Sequence, residues 1–328
     1  MVHYGAAAAV MSPVLIYLSI EPETRDDAER LGQALRRLIA ADPALHARTL
    51  PEDGHVVLGG TSESHLEIVI DRLRREFRVD ASVGRPHVAY KETFTRAADG
   101  ERKFATHSGD RGHYAHVKIH LMPGLPGNGY VFKNDIVAGT IPDRFIKPIE
   151  EAIGNALARG VLAGYPMEDV RVELYDGSYH DVDSSETAFR IAAALAFQDA
   201  ASRAEPVVLE PVMRVEVEVP DEHLTDVSNN LADRRGQIQS PVWTGDSYII
   251  RARVPLSQMF GYAADLRART LGRGTCSIEF DRYEPRPPND LQDPDDPKVR
   301  SPLRPVRPQG GSSIGLPEPD PESAEDGR

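Results

Sequence analysis

Four histidines, His107, His113, His116 and His120, fall within fourteen residues of a 328-residue chain. Histidine is the side chain that most often ligates metals or exchanges protons near neutral pH. Their spacing argues against a shared metal. On a strand, His116 and His120 lie on one face about 13 Å apart and His113 points to the other face, whereas zinc needs each nitrogen at about 2 Å. Ordinary strand polarity or contact with RNA remain as readings. The adjoining turn, Ser108-Gly109-Asp110-Arg111-Gly112-His113, combines glycines that let a backbone approach a partner closely with an arginine able to clasp a phosphate. A plain hairpin turn accounts for it equally well. A second loop, Asp176 to Glu186, is rich in carboxylates, but its glycine and terminal Glu stand at the wrong positions for a calcium loop. Asp183 or Ser184 is expected to cap the following helix, with Glu186 complementing its dipole. Capping leaves Tyr179 and His180 unexplained, and both suit stacking on, or hydrogen bonding to, a nucleic acid.

Nucleotide and hydrolytic signatures are missing from these residues. No stretch reads G-x-x-x-x-G-K-S/T, and the glycine-rich run Gly124 to Gly129 lies between strand-like segments without the Lys-Ser/Thr end, so it reads as a loop. Neither G-x-S-x-G nor H-E-x-x-H occurs. The single cysteine, Cys276, forms no internal disulfide and fits a reducing compartment, with the cytoplasm as default. The apolar stretch near Ala6 to Ile20 contains Pro13 and is preceded by no Lys or Arg, which excludes a signal peptide or membrane span. A net charge of −13 argues against a surface coated in positive charge, yet a tip about 30 Å from acidic patches is largely screened from them.

The elements that must hold the two loops follow from periodicity. A strand from Val14 to Ile20 leads to a helix N-capped by Thr24, with Ala28, Leu31, Leu35 and Leu38 on one face and Pro43 closing it. Two short strands around Pro51 to Gly54, a helix with Leu66, Ile70, Leu73 and Phe77, and a strand at Val79 to Val83 complete a β-α-β-β-α-β unit. The same order recurs from Val212: a strand to Val219, a helix with Leu224, Val227 and Leu231, and strands Ile238 to Val242 and Tyr248 to Val254. A helix then starts at Pro255 with Met259, Phe260 and Ala263 inward, Gly272 ends it, and a strand runs from Thr275 to Phe280. Between the copies lie strands at Ala115 to Leu121, Tyr130 to Ile136 and Val170 to Tyr175. A helix with Ile149, Ile153 and Leu157 and a buried helix from Ser184 to Arg203 accompany them. The segment Glu284 to Arg328 holds eleven of 26 prolines and reads as a disordered acidic tail, an inert solubiliser rather than a partner site.

Motifs in this order resemble elongation factor G, the ribosomal translocase. They are Glu63 with His65-Leu66-Glu67, Ala89-Tyr90-Lys91-Glu92-Thr93, Val161-Leu162-Ala163-Gly164-Tyr165-Pro166, Tyr175 through Glu186, Leu209-Glu210-Pro211, Arg234-Arg235-Gly236, and Phe260-Gly261-Tyr262-Ala263 with Asp265-Leu266-Arg267. The likeness runs from about Pro13 to Tyr283. It implies an α+β protein in which two ferredoxin-like domains, III (13–87) and V (207–284), flank an elongated domain IV (88–206) of the ribosomal protein S5 domain 2-like type. A leader (1–12) and the tail (285–328) complete the chain. It further implies a ribosome partner, with 16S and 23S rRNA, tRNA and mRNA near the decoding A site, met through a tip made of Ser108, Gly109, Arg111, Gly112, His113, Tyr179, His180 and Asp181. His180 takes the most exposed position of the family tip. His65, Arg234, Arg235 and Arg273 are further ribosome-contact candidates. The family's GTP and Mg belong to a GTPase domain and following β-barrel that these residues do not contain, so neither cofactor nor catalytic residue is expected here. Asp110 replaces a usual glycine, and His113 and Ala115 a usual Gln and Gly. The leader differs from the family's preceding domain, which reads as a native start. Three functions fit: a monomeric ribosome-binding translocation module; one part of a split translocase, or a recycling or protection paralogue, working with a separate GTPase or ribosome recycling factor; and a truncated gene product without function.

Overall fold

The computed structural model describes residues 13–49, 56–108, 111–137 and 139–287. The leader, the turn expected at Pro51 to Gly54, Gly109 and Asp110 of the first tip loop, and nearly all of the expected tail lie outside them.

The first unit comprises β1 (Ile16–Pro22), α1 (Arg25–Ala41), β2 (His46–Thr49), β3 (Val56–Gly60), α2 (Glu63–Arg75) and β4 (Ala81–Val83). Its strands pair antiparallel in the order β2-β3-β1-β4, the ferredoxin-like arrangement. Thr24 caps α1 by accepting from the Asp27 amide. The inward face of α1 is Asp27, Leu31, Ala34, Leu35 and Leu38, while Ala28 is exposed. Asp27 takes the buried position because its carboxylate is fully engaged, by the Thr24 hydroxyl, the Asp80 amide and Arg30. A short strand, β5 (His87–Val88), adds to β1.

Next come β6 (Lys91–Phe94), β7 (Ala98–Ser108), β8 (Arg111–Pro123), β9 (Tyr130–Asn134), α3 (Ile146–Arg159), β10 (Val170–Ser178) and α4 (Glu186–Ala201). Strands β7, β8, β10 and β9 form one sheet in that order, with β9 parallel to β10. Helices α3 and α4 cover one face, and Ala115, Val117, Ile119 and Leu121 of β8 are sealed against Phe189, Ala192, Ala196 and Phe197. Helix α4 lies so close to β7 that a methyl group at Gly100 would come within 2.2 Å of the Ala196 carbonyl oxygen. That closeness explains why β7 was not legible as a strand. Its inward positions include Ala98, Gly100 and Phe104, and the glycine and the exposed Arg102 between the two apolar residues break the alternation.

The third unit is β11 (Pro206–Val219), α5 (Leu224–Asp233), β12 (Gln237–Ile238), β13 (Val242–Trp243), β14 (Tyr248–Pro255), α6 (Tyr262–Arg269) and β15 (Thr275–Pro285). The order β12-β14-β11-β15 repeats that of the first unit. The expected helix at Pro255 is corrected. Pro255 has ψ 137°, an extended conformation that ends β14; a single 3-10 turn follows over Leu256–Gln258. Gly261 then turns left-handed at φ 67°, and α6 begins only at Tyr262, burying Tyr262 and Leu266 and leaving Ala263 exposed. Strand β11 begins six residues earlier than its alternation suggested, because Pro206–Leu209 pair with β6. The residues just after β5 therefore extend the third sheet. One apolar cluster runs through the first and third units and takes in Tyr90, Ala163 and Tyr165, while the middle unit keeps a core of its own. Among the described residues no helix is long and apolar enough to cross a membrane.

Candidate nucleic-acid interface

The long hairpin β7–β8 and the end of β10 carry both loops to one place. Ser108 pairs with Arg111 at the hairpin end, Thr106 pairs with His113, and Ser178 pairs with His116. The loop after β10 therefore starts beside the root of the hairpin turn. Hydrogen bonds then fasten it there. The Tyr114 amide donates to the Asp183 carbonyl at 2.9 Å and the Ser184 hydroxyl donates to the Tyr114 carbonyl at 2.7 Å. Within the loop, the His180 amide donates to Ser184 Oγ (2.9 Å) and the Ser184 amide to the His180 carbonyl (3.1 Å), closing a tight turn. Helix α4 is capped by Ser185, which accepts from the Ala188 amide. Asp183 and Ser184, the expected caps, serve the tip instead.

His180 projects from this turn with 57% of its side chain exposed. Its Nδ1 lies 3.1 Å from Asp183 Oδ2, and its ring is 6.4 Å from that of Tyr114. Asp181 is exposed beside it. Tyr179 does not join this surface, because its ring packs against the core of the middle unit and supports the loop from beneath. Gly112 has a specific steric role: a methyl there would come within 2.6 Å of the Asp183 carboxyl carbon. His113 is partly buried opposite Thr106. The side chains of Ser108 and Arg111 lie outside the described residues. Below the tip a polar chain runs from the Tyr114 hydroxyl to Ser178 Oγ (2.8 Å), on to His116 Nδ1 (3.3 Å), and from His116 Nε2 to Glu101 (2.8 Å). The Lys103 ammonium sits 5.3 Å from the centre of the Tyr114 ring. His120 stacks on Tyr175 at 4.0 Å and pairs with Asp99. Each of these two histidines thus has its own carboxylate. No group of three or more His, Cys, Asp or Glu among the described residues could hold a metal ion.

The four other candidate contacts are engaged within the chain. His65 bridges two elements of the first unit, its Nε2 on Asp42 at 2.8 Å and its Nδ1 accepting from the Thr61 amide at 3.2 Å. The Ala44 amide and His65 together hold the Asp42 carboxyl below its usual range. Arg234 meets Asp265 at 3.0 Å and lies over the Tyr262 ring. Arg235 clasps the buried Glu210 carboxylate through two nitrogens, at 2.5 and 3.2 Å. Arg273 pairs with Glu222 and reaches His223 at 2.9 Å.

Sequence reasoning gave no role to Glu92, and the structure gives it a large one. Its carboxylate is fully buried and accepts five backbone N–H groups in a row, from Val161, Leu162, Ala163, Gly164 and Tyr165, at 2.7–3.0 Å. The loop it gathers follows α3, and its Ala163 and Tyr165 enter the apolar cluster of the first and third units. Glu92 therefore fixes the base of the middle unit to the rest. The signal was present in the alternation Tyr90, Glu92, Phe94: a carboxylate on the inward face of a strand demands a set of donors.

Three family models cover nearly all of these residues. Elongation Factor G domain III matches residues 11–85, elongation factor G domain IV matches 86–205, and the elongation factor G C-terminus matches 207–294. A crystal structure of a protein from Thermus thermophilus is similar over 86% of this chain, at 37% identity and a TM-score of 0.66; the match covers 42% of that longer chain. The GTP and Mg of the family find no fit among these residues, which offer neither a phosphate cradle in the sequence nor a carboxylate cluster among the described residues of the fold. By its domains III, IV and V, in that order, the chain belongs to the elongation factor G family.

Proposed function

We propose that the chain binds the ribosome and inserts the tip of its middle unit into the decoding region beside tRNA and mRNA, acting there by shape and contact, in the cytoplasm and as a monomer. The observation that carries this reading is the fusion of two loops into one hydrogen-bonded tip on which His180 and Val182 are exposed. The tip stands at the far end of strands of eleven and thirteen residues, long enough to reach into a cleft. Lys103 lies over the Tyr114 ring at the base of the tip, whereas Lys118, further down the strand, is paired with Asp176 and Glu101. Cosedimentation with 70S ribosomes tests the reading. Wild type is expected in the ribosome pellet at low salt, and His180→Ala should bind about three- to tenfold more weakly, as loss of one outward hydrogen bond implies. Failure of the wild type to bind at low salt refutes the proposal.

A further inference from the structure

We infer that the cleft between the open face of the first sheet and the base of the middle unit is a binding site for a small phosphate-bearing molecule, held by Arg48, Tyr17 and His46. The site is independent of whatever the tip of the middle unit contacts.

The cleft has a volume of about 370 Å³, within the range of sites that take small molecules. Strand register builds its floor. His46, Gly59 and Tyr17 stand in one row across β2, β3 and β1, and Arg48, Val57 and Ser19 in the next. Side chains alternate along a strand, and Ile16, Leu18 and Ile20 enter the core, so Tyr17 leaves by the opposite face, where His46 and Arg48 of the edge strand join it. Gly59 lets them converge: the Tyr17 ring lies across it, with one ring carbon 3.1 Å from where a Cβ would stand. The other wall is Ala158 of α3 with Gly164 and Pro166 of the loop that follows it.

The polar groups that line this cleft are short of partners. Among the described residues Arg48 meets no carboxylate and the Tyr17 hydroxyl no hydrogen-bond partner. Glu168, beyond Pro166, is taken by Lys91, and Glu21, on the same face of β1, stands one row past Ser19 with an interaction of its own. Burial pushes the Tyr17 hydroxyl pKa up while the Arg48 charge pulls it down, so the guanidinium lies within electrostatic reach of the phenol. The His46 Nδ1 donates to the Ala44 carbonyl at 3.4 Å, which leaves Nε2 for a ligand. In a chain of net charge −13, an arginine lining a cleft without a carboxylate beside it favours an anion there. Arg48 offers a fork of N–H donors, the Tyr17 hydroxyl donates or accepts, and His46 Nε2 accepts from a P–OH or, once charged, donates to a phosphate oxygen. A phosphate has three free oxygens and titrates near neutral pH, whereas a carboxylate has two and only accepts. Bound here, it ties the first sheet to the loop whose amides Glu92 gathers.

Titration of the full chain with inorganic pyrophosphate, followed at the Tyr17 and His46 rings by 1H–13C correlation, tests the site. Both rings should shift together and saturate with a Kd below about 1 mM. Arg48→Ala should weaken binding about 10- to 100-fold and Tyr17→Phe about two- to tenfold, whereas Arg74→Ala, exposed on α2, should leave it unchanged. Arg48 is exposed on an edge strand, so its removal leaves the core intact, and an unchanged circular dichroism spectrum checks this. A Kd above about 1 mM, or equal affinity in wild type and Arg48→Ala, overturns the inference. Citrate bound as tightly as pyrophosphate overturns the assignment to phosphate. If a single-stranded RNA oligonucleotide shifts the two rings and pyrophosphate does not, the cleft faces RNA and the small-molecule site falls.

Discussion

Replacing Glu92 by glutamine removes one charge and one acceptor from the place where the middle unit meets the rest, and the cost can be worked from the contacts. Oε1 takes three amides, from Ala163, Gly164 and Tyr165, and Oε2 takes two, from Val161 and Leu162. A glutamine places its oxygen on the side with three donors and its NH2 against the other two. Two donors then face a donor. An unsatisfied buried donor costs about 1–3 kcal/mol, and Val161 and Leu162 are partly exposed, so water recovers some of that; about 2–4 kcal/mol remains. Because several units share the chain, global unfolding is a poor measure, and amide exchange of the loop itself is the better assay. Protection at residues 161–165 should fall by about 30- to 700-fold in Glu92→Gln, with β8 amides little changed. Protection within threefold of wild type would refute the view that this carboxylate organises the joint.

Two further outcomes follow from buried or capped carboxylates. Asp27 is only 3% exposed, and its hydrogen bonds, first from the Thr24 hydroxyl and then from the Asp80 amide and Arg30, hold its pKa down to about 2. A depressed carboxyl contributes stability that is complete above about pH 4 and is lost as the pH falls toward 2. The gap in urea midpoint between wild type and Asp27→Asn should therefore close between pH 5 and pH 2.5, and a gap constant with pH overturns the assignment. Arg235→Ala leaves the buried Glu210 carboxylate without its bidentate partner and should destabilise by about 2–3 kcal/mol, under the full cost of breaking a buried pair because Arg235 is itself partly exposed. Denaturant unfolding reads this, and a change below about 0.5 kcal/mol would free Arg235 for the role of a surface contact.

Much of the fold was legible because alternation and helical spacing are strong where an element has one wet face. Leu31, Leu35 and Leu38, or Val215, Val217 and Val219, leave little choice of face. Legibility failed where packing replaced pattern. Strand β7 hides because α4 crosses it too close for any side chain at Gly100, which interrupts the alternation between Ala98 and Phe104, and β6 hides because its partner strand belongs to another unit. The start of α6 was misplaced because Pro255 fits a strand end as readily as a first helical turn, and only Gly261 in its left-handed conformation decides the matter. At the tip, the residue types were visible, but their division of labour was not. Tyr179 looks as exposed as His180 in the sequence, and strand parity through the irregularity in β10 sends it inward.

The tip and the Glu92 joint belong to one device when lengths are considered. The thirteen residues of β8 span about 40 Å, so a swing of roughly 5° at the base moves the tip about 3.5 Å. That displacement exceeds the tolerance of a hydrogen bond, whose donor and acceptor must meet within about 2.7–3.2 Å. A contact made by His180 thus demands stiffness at the far end of the strands. The structure supplies it in three independent ways: five amides on one carboxylate, the β6–β11 ladder, and the Tyr283 hydroxyl on the Ala89 carbonyl at 2.9 Å. Weakening the base should therefore erode binding at the tip without touching a tip residue. In ribosome cosedimentation, Glu92→Gln with His180 intact would resemble His180→Ala, and combining the two would add little. If the two losses instead added in full, the base and the tip would be acting separately, and stiffness would not be what links them.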